Sequence, residues 1–138
     1  MRTAELLGRV ELPGKASAVA AARACVRGLL CAAGYSEADQ VELLVSELMA
    51  NSVRHSDSGR DPCGMVRLVV SHTGDALRVE VIDEGSSGAI PPVPAQVDPL
   101  SESGRGLWLV RELSSFWGWK DDETGRVVWF EMAAGRSG

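Results

Sequence analysis

The sequence contains few of the residues that build disulfide frameworks, zinc sites or aromatic platforms. Cysteine occurs at Cys25, Cys31 and Cys63, and no two of these form a Cys-x-x-Cys pair. Neither a disulfide framework nor a zinc site is therefore predicted, and a reducing compartment is favoured. Aromatic residues make up 5% of the chain, and its four Trp residues are interpreted as core or rim residues rather than as a nucleic-acid stacking platform.

The sequence also lacks an excess of positive charge and a long apolar run. It has 14 Lys and Arg residues against 19 Asp and Glu residues, a net charge of −5. This argues against nucleic acid as a direct partner, because duplex binding depends on cationic neutralisation of phosphates. The most tempting apolar stretch, Ala16 to Ala33, is interrupted by Arg23 and Arg27. We therefore predict no membrane span, no signal peptide and a cytoplasmic chain.

What remains is the composition of one soluble globular domain, spanning residues 1–138. Hydrophobic residues make up 45% and charged residues 24% of the chain, and a domain typically has about 150 residues. Hydrophobic periodicity and turn residues predict an ordered series of helices and strands. The predicted strands are Glu5–Leu12, Met65–Ser71, Ala76–Asp83, Trp117–Lys120 and Val127–Met132, and the predicted helices are Ala16–Ala33, Glu37–Ser56 and Leu107–Phe116.

One long segment has no periodicity. Residues 85–103 contain four prolines together with several Ser and Gly residues. Loops of this length inside a compact domain are usually functional lids or disordered segments. We therefore expect a lid loop at about residues 85–103.

The second predicted helix carries a polar stripe beside its apolar stripe. With Glu47 as the reference, Asn51 lies about 40° and His55 about 80° around the helix, and Arg54 lies about 20° on the other side. The Asn51 amide oxygen suits Mg²⁺, which prefers oxygen ligands and retains waters and substrate phosphates. Glu47, one turn earlier, can accept a proton from an attacking hydroxyl or water.

Two further segments complete the pattern. Asp83, at the end of a predicted strand, can accept a hydrogen bond from an exocyclic amine such as that of adenine, and Gly85 lets a ring approach the backbone closely. Gly104 and Gly106 precede a predicted helix, where backbone N–H groups and the helix dipole favour anions. Each segment alone is a weak signal, but together and in this order they describe a magnesium–nucleotide site.

These segments resemble the sequence boxes of the GHKL, or Bergerat-fold, ATPase superfamily, and within it the small ATP-binding proteins of the anti-sigma factor, serine-kinase type. Residues 41–56 resemble the N box, 83–85 the G1 box, 103–107 the G2 box and 128–131 the final strand. The resemblance covers about residues 10–133. It implies the histidine kinase-like ATPase fold, an α/β (α+β) two-layer sandwich whose mixed, mostly antiparallel sheet has helices on one face.

The resemblance also implies roles for the matching residues. Glu47 would be the base that activates the acceptor hydroxyl, and Asn51 would bind Mg²⁺. Asp83 would read the adenine amine, with Gly85 beneath the ring. The other residues that the resemblance assigns to ATP are Arg54, His55, Gly104, Arg105, Gly106 and Leu107.

The function that the resemblance implies is partner switching. The chain would phosphorylate a serine or threonine of a small STAS-type antagonist protein and, in the unphosphorylated state, sequester a sigma factor. Homodimer formation is suggested by the resemblance alone. The alternative is a module that binds nucleotide, or none, and switches partners without phosphoryl transfer. Glu47 and Asn51 together favour the kinase, whereas Val127, at the place of a Thr that helps to hold adenine in the family, favours the module. A purely structural α/β domain is the third hypothesis.

Overall fold

The computed structural model describes residues 4–35, 38–55, 64–73, 76–83, 114, 116–122 and 125–133. Five strands and two helices lie in these ranges. The elements in chain order are β1 (Ala4–Pro13), α1 (Ser17–Ala32), α2 (Ala38–His55), β2 (Met65–Thr73), β3 (Ala76–Asp83), β4 (Phe116–Asp122) and β5 (Gly125–Ala133). The predicted strands and the first two predicted helices are therefore confirmed, with ends that differ by zero to two residues for β1 to β3 and the helices.

The end predicted for the third helix, Phe116, is wrong. Most of Leu107–Phe116 lies outside the described residues, but Phe116 begins β4, where it pairs with Glu131. The aromatic run from Phe116 to Trp119 suits a pleated strand better than a helix end. The lid predicted at about residues 85–103 lies outside the described residues.

The described strands form one sheet in the order β1-β2-β3-β5-β4. All four pairings are antiparallel. The prediction of a mixed, mostly antiparallel sheet is therefore right about the main strand direction, and no parallel pair occurs among the described strands. The pairing of β3 with β5 runs without a shift from Ala76 opposite Ala133 to Asp83 opposite Arg126. The end of β3 therefore lies beside the start of β5.

The helix α1 forms because alanine and spaced apolar residues dominate it. Ala18, Ala22, Val26 and Leu30 recur every four residues and are buried, as expected for one face of a helix. Gly34 ends the helix with a φ of 84°, and the Tyr35 N–H donates to the Leu30 carbonyl at 2.9 Å. The helix ends here because a left-handed residue at this position suits glycine.

Both helices pack on the same face of the sheet. Apolar side chains from α1 and α2 share one buried cluster with alternate residues of β2, β3 and β5, which confirms the two-layer arrangement. Of the two helices in the described ranges, neither combines the length and the apolar character needed to cross a membrane. The most deeply buried members of the cluster include Val26, Leu30, Leu44, Val45, Leu48, Met49, Leu68, Leu77, Val79, Val81 and Phe130.

A buried carboxylate ties α1 to α2. Glu42 is 5% exposed, and its carboxylate accepts a hydrogen bond from Arg27 Nε at 2.6 Å, with Arg23 Nε at 4.0 Å. Arg27 also donates to Asp39 at 2.9 Å. The hydrogen bond and charge of Glu42 raise the pKa of Arg27. Because buried charges must be paired, this cluster fixes the rotation of α2 against α1, and with it the direction of the polar stripe.

Two adjacent leucines of α2 test this packing. Leu44 is fully buried, whereas Leu43 is 41% exposed. Leu44→Ala should lower the free energy of unfolding by about 2–5 kcal/mol because it leaves a cavity. Leu43→Ala, the matched control, should change it by less than about 1 kcal/mol. Urea denaturation followed by circular dichroism measures both, and equal losses would show that α2 does not pack through the Leu44 face.

Candidate functional site

The polar stripe of α2 lies beside the buried face of the helix. Glu47 and Asn51 are both partly exposed, while Leu48 between them is buried in the core. Their side chains start one turn apart on the same face of the helix. The core contact of Leu48 therefore holds a carboxylate and an amide oxygen at the border between the core and the solvent.

Asp83 ends β3 on the helix-covered face of the sheet. It follows Leu77, Val79 and Val81 in the alternation of buried residues along the strand, and it is 4% exposed. A carboxylate in such a place is unusual, because a buried polar group costs free energy unless it is hydrogen-bonded or paired. Strongly buried acceptors are suited to recognising a donor on a ligand, since a ligand without that donor leaves them unsatisfied.

The two elements that carry these residues pack against each other. The helix α2 packs against β3, and Leu48 and Val81 belong to the same buried cluster. Glu47 and Asn51 flank Leu48 on the helix, and Asp83 lies two residues beyond Val81 on the same face of the strand. The three predicted site residues with described side chains therefore border the same layer of the core.

The remaining predicted residues are placed in part or not at all. Arg54 and His55 form the end of α2. The five others, Gly85, Gly104, Arg105, Gly106 and Leu107, lie outside the described residues. The roles assigned to all of the predicted site residues stay predictions.

The register of β5 gives the face on which Val127 lies. This residue pairs with Ile82, while Asp83 pairs with Arg126. Directly opposite residues share a face of the sheet, and neighbours in a strand point to opposite faces. Val127 therefore lies on the opposite face of the sheet from Asp83, and its match to the family's adenine-holding Thr stays a prediction.

Arg126 is the residue that the sequence reasoning missed. It is 4% exposed, it lies opposite Asp83, and its guanidinium carbon is 5.5 Å from the centroid of the Trp119 ring. The signal was present in the sequence. Arg126 occupies the same alternation as Val128 and Phe130, which face the core, so period-two counting through β5 places a positive charge on the helix-covered face.

The donor set favours a metal that keeps water and substrate ligands. Within the part of the chain that the structure describes, no group of three or more His, Cys, Asp and Glu side chains could hold a metal ion. A partly exposed amide oxygen such as that of Asn51 fits Mg²⁺ bound with few protein ligands and several waters or phosphates. It does not fit a closed zinc site, which takes four protein ligands of N and S type.

The chain matches a known protein family and is similar to proteins of established name. The family described as the histidine kinase-like ATPase domain matches residues 12–132. Serine-protein kinase RsbW of Staphylococcus epidermidis is 26% identical over 115 residues, covering 75% of this chain and 72% of the relative. Serine-protein kinase RsbW of Staphylococcus aureus strain bovine RF122 / ET3-1 is 23% identical over 124 residues, covering 82% of this chain and 78% of the relative.

A solved structure agrees with the fold. The crystal structure of the RsbU and RsbW domains of Rv1364c from Mycobacterium tuberculosis is similar with a TM-score of 0.66 and 18% identity. The match covers 94% of this chain and 32% of that chain. The similarity establishes the architecture over nearly the whole length of the present chain.

Proposed function

Because the chain belongs to the histidine kinase-like ATPase family, we propose that it is an ATP-dependent protein serine/threonine kinase of the anti-sigma factor type. It phosphorylates a small STAS-type antagonist protein and sequesters a sigma factor when that antagonist is unavailable for binding. The family match supports ATP binding, and the RsbW relatives, which are named serine-protein kinases, support phosphoryl transfer to protein. The observation that supports the proposal is the side-chain set itself: Glu47 and Asn51 lie one turn apart at the border of the buried face of α2, and Asp83 is buried on the helix-covered face of the sheet.

Asn51 and Glu47 have different roles at the end of the site where the phosphates of ATP bind. The Asn51 amide oxygen would hold Mg²⁺, which would supply positive charge beside the phosphates of ATP. As the antagonist hydroxyl oxygen forms its bond to the γ-phosphorus, the bond from that phosphorus to the β–γ bridging oxygen breaks and ADP leaves. Glu47 accepts the proton of the hydroxyl. Both side chains are anchored by the buried Leu48 between them, so the spacing of metal ligand and base is set before substrate arrives.

Asp83 selects the nucleobase at the end of the site opposite the phosphates. Its carboxylate accepts a hydrogen bond from the adenine 6-amine, while guanine presents a carbonyl oxygen at that position. Since Asp83 is almost fully buried, water cannot satisfy it easily when the donor is missing. The site therefore favours ATP over GTP.

The alternative function is a nucleotide-binding partner switch without phosphoryl transfer. The residue opposite Asp83 is Arg126 and its neighbour is Val127, so no Thr stands at that place to help hold adenine, which still favours the alternative. The retention of a carboxylate and an amide one turn apart on α2 supports chemistry rather than passive binding.

The metal dependence of ATP binding tests Asn51. Asn51→Ala should weaken Mg–ATP binding at least tenfold, or about 1.4 kcal/mol, because it removes the oxygen ligand. Gln40→Ala removes a partly exposed amide from the first turn of the same helix and should bind Mg–ATP like the wild type. Isothermal titration calorimetry with and without Mg²⁺ measures this, and equal affinity in the wild type and Asn51→Ala would remove Asn51 from the site.

The preference for ATP over GTP tests the role of Asp83. The wild type should prefer ATP to GTP by at least about a hundredfold, because a buried acceptor rejects a ligand that lacks the matching donor. Asp83→Ala should reduce this preference to a few-fold. Competition binding with both nucleotides measures the ratio, and circular dichroism checks that the variant is folded. Comparable binding of ATP and GTP by the wild type would contradict the assignment.

Phosphoryl transfer tests Glu47. Glu47→Gln keeps the shape but cannot take a proton, so it should bind Mg–ATP within a few-fold of wild type and phosphorylate the antagonist at least about a hundredfold more slowly. It should still hold the sigma factor, because sequestration uses surface rather than chemistry. Glu80→Gln, on the opposite face of the sheet, is the matched control and should transfer phosphate normally. If Glu47→Gln transfers phosphate at the wild-type rate, Glu47 is not the base.

A further inference from the structure

One large apolar side chain of α2 is turned toward the solvent. Leu43 is 41% exposed, whereas the residues that follow it, Leu44 and Val45, are fully buried. A single exposed leucine is ordinary on a protein surface. Whether Leu43 has a role is therefore decided by its position relative to the proposed reactive residues.

Leu43 lies on one helical ridge with Glu47 and Asn51. These three residues follow each other at intervals of four along α2, so each lies about 40° further around the helix than the one before it. Side chains at this spacing are neighbours, with Cβ atoms about 5–6 Å apart. The three residues are called the α2 ridge below. Glu47 is its middle member, both along the helix axis and around it.

The order of the α2 ridge separates the two substrates of the proposed kinase. In that function, on which this inference rests, Asn51 lies beside the phosphates of ATP and Glu47 beside the acceptor hydroxyl. The attacking and leaving oxygens lie in line on opposite sides of the transferred phosphorus. The acceptor protein therefore reaches Glu47 from the side away from the phosphates, and on the α2 ridge that side carries Leu43.

We propose that Leu43 is a docking residue for the acceptor protein, on which an apolar side chain of the antagonist packs when the acceptor hydroxyl reaches Glu47. Charged groups border this apolar contact. Asp39, one turn before Leu43, accepts a hydrogen bond from Arg27 at 2.9 Å, and Glu47 lies one turn after it. An apolar centre with a polar rim is typical of a protein–protein contact.

The spacing on the α2 ridge also constrains the antagonist. A distance of about 5–6 Å corresponds to about two residues of an extended chain, which rises about 3.3 Å per residue. An extended acceptor segment should therefore carry an apolar residue about two positions from the serine or threonine that takes the phosphate.

Steady-state kinetics of phosphoryl transfer tests Leu43. The varied substrate is the STAS-type protein that takes the label from γ-labelled ATP. Leu43→Ala should raise the KM for this protein at least about fivefold and leave kcat within about twofold of wild type, because the contact is made equally before and during transfer. Mg–ATP affinity, measured by isothermal titration calorimetry, should also stay within about twofold. A merely structural change in α2 would weaken Mg–ATP binding as well.

Two further variants sharpen the test. Leu43→Met keeps an apolar side chain of similar volume and should restore the KM to within about twofold of wild type. Leu6→Ala is the matched control, because Leu6 is 57% exposed but lies on β1, which β2 separates from β3. This variant should keep the wild-type KM for the antagonist.

The outcomes separate this inference from the proposed function. A wild-type KM in Leu43→Ala would overturn the inference and leave the proposed kinase intact, and so would a variant that only binds the sigma factor more weakly. Equal rises in KM for Leu43→Ala and Leu6→Ala would overturn it too, because the effect would then not depend on the α2 ridge. A wild type that transfers no label to any candidate antagonist would refute the proposed function itself and this inference with it.

Discussion

The packing of α2 against the sheet is the contact on which the rest of the structure depends. Leu44, Val45, Leu48 and Met49 bury one face of the helix in the shared core, and the Glu42–Arg27 pair fixes its rotation against α1. Only one face of α2 can then border the solvent beside β3. Glu47 and Asn51 lie on that border because they are neighbours of Leu48, so the same contacts that stabilise the fold also set the direction of the reactive groups.

The antiparallel register is the second constraint, and it decides what surrounds Asp83. With β5 between β3 and β4, a residue at the end of β3 meets a residue at the start of β5. That residue is Arg126, which adds a buried positive charge on the helix-covered face of the sheet. Trp119 on the edge strand lies next to Arg126. Asp83, Arg126 and Trp119 therefore come from three different strands.

Local sequence patterns predicted the helices and strands. The faces on which strand residues lie depend on non-local strand pairing, which these patterns do not contain. Hydrophobic periodicity and turn residues depend on neighbouring residues, and they placed α1, α2, β2 and β3 within two residues of their observed ends. The predicted end of the third helix was wrong at Phe116, because the helix was extended into the start of an aromatic run that suits a strand. The face of Val127 was missed because it depends on the register between β3 and β5, which residues 45 positions apart determine and no local motif records.

The most direct test of the account is transfer of the γ-phosphate from ATP to protein. The chain would be incubated with Mg²⁺, ATP labelled in the γ-phosphate and candidate STAS-type antagonist proteins, and the labelled residue identified by mass spectrometry. The account predicts label on a serine or threonine of a cognate antagonist, with none when Mg²⁺ is removed. A wild-type chain that binds Mg–ATP but transfers no label to any cognate antagonist would contradict it and leave a nucleotide-dependent binding module as the function.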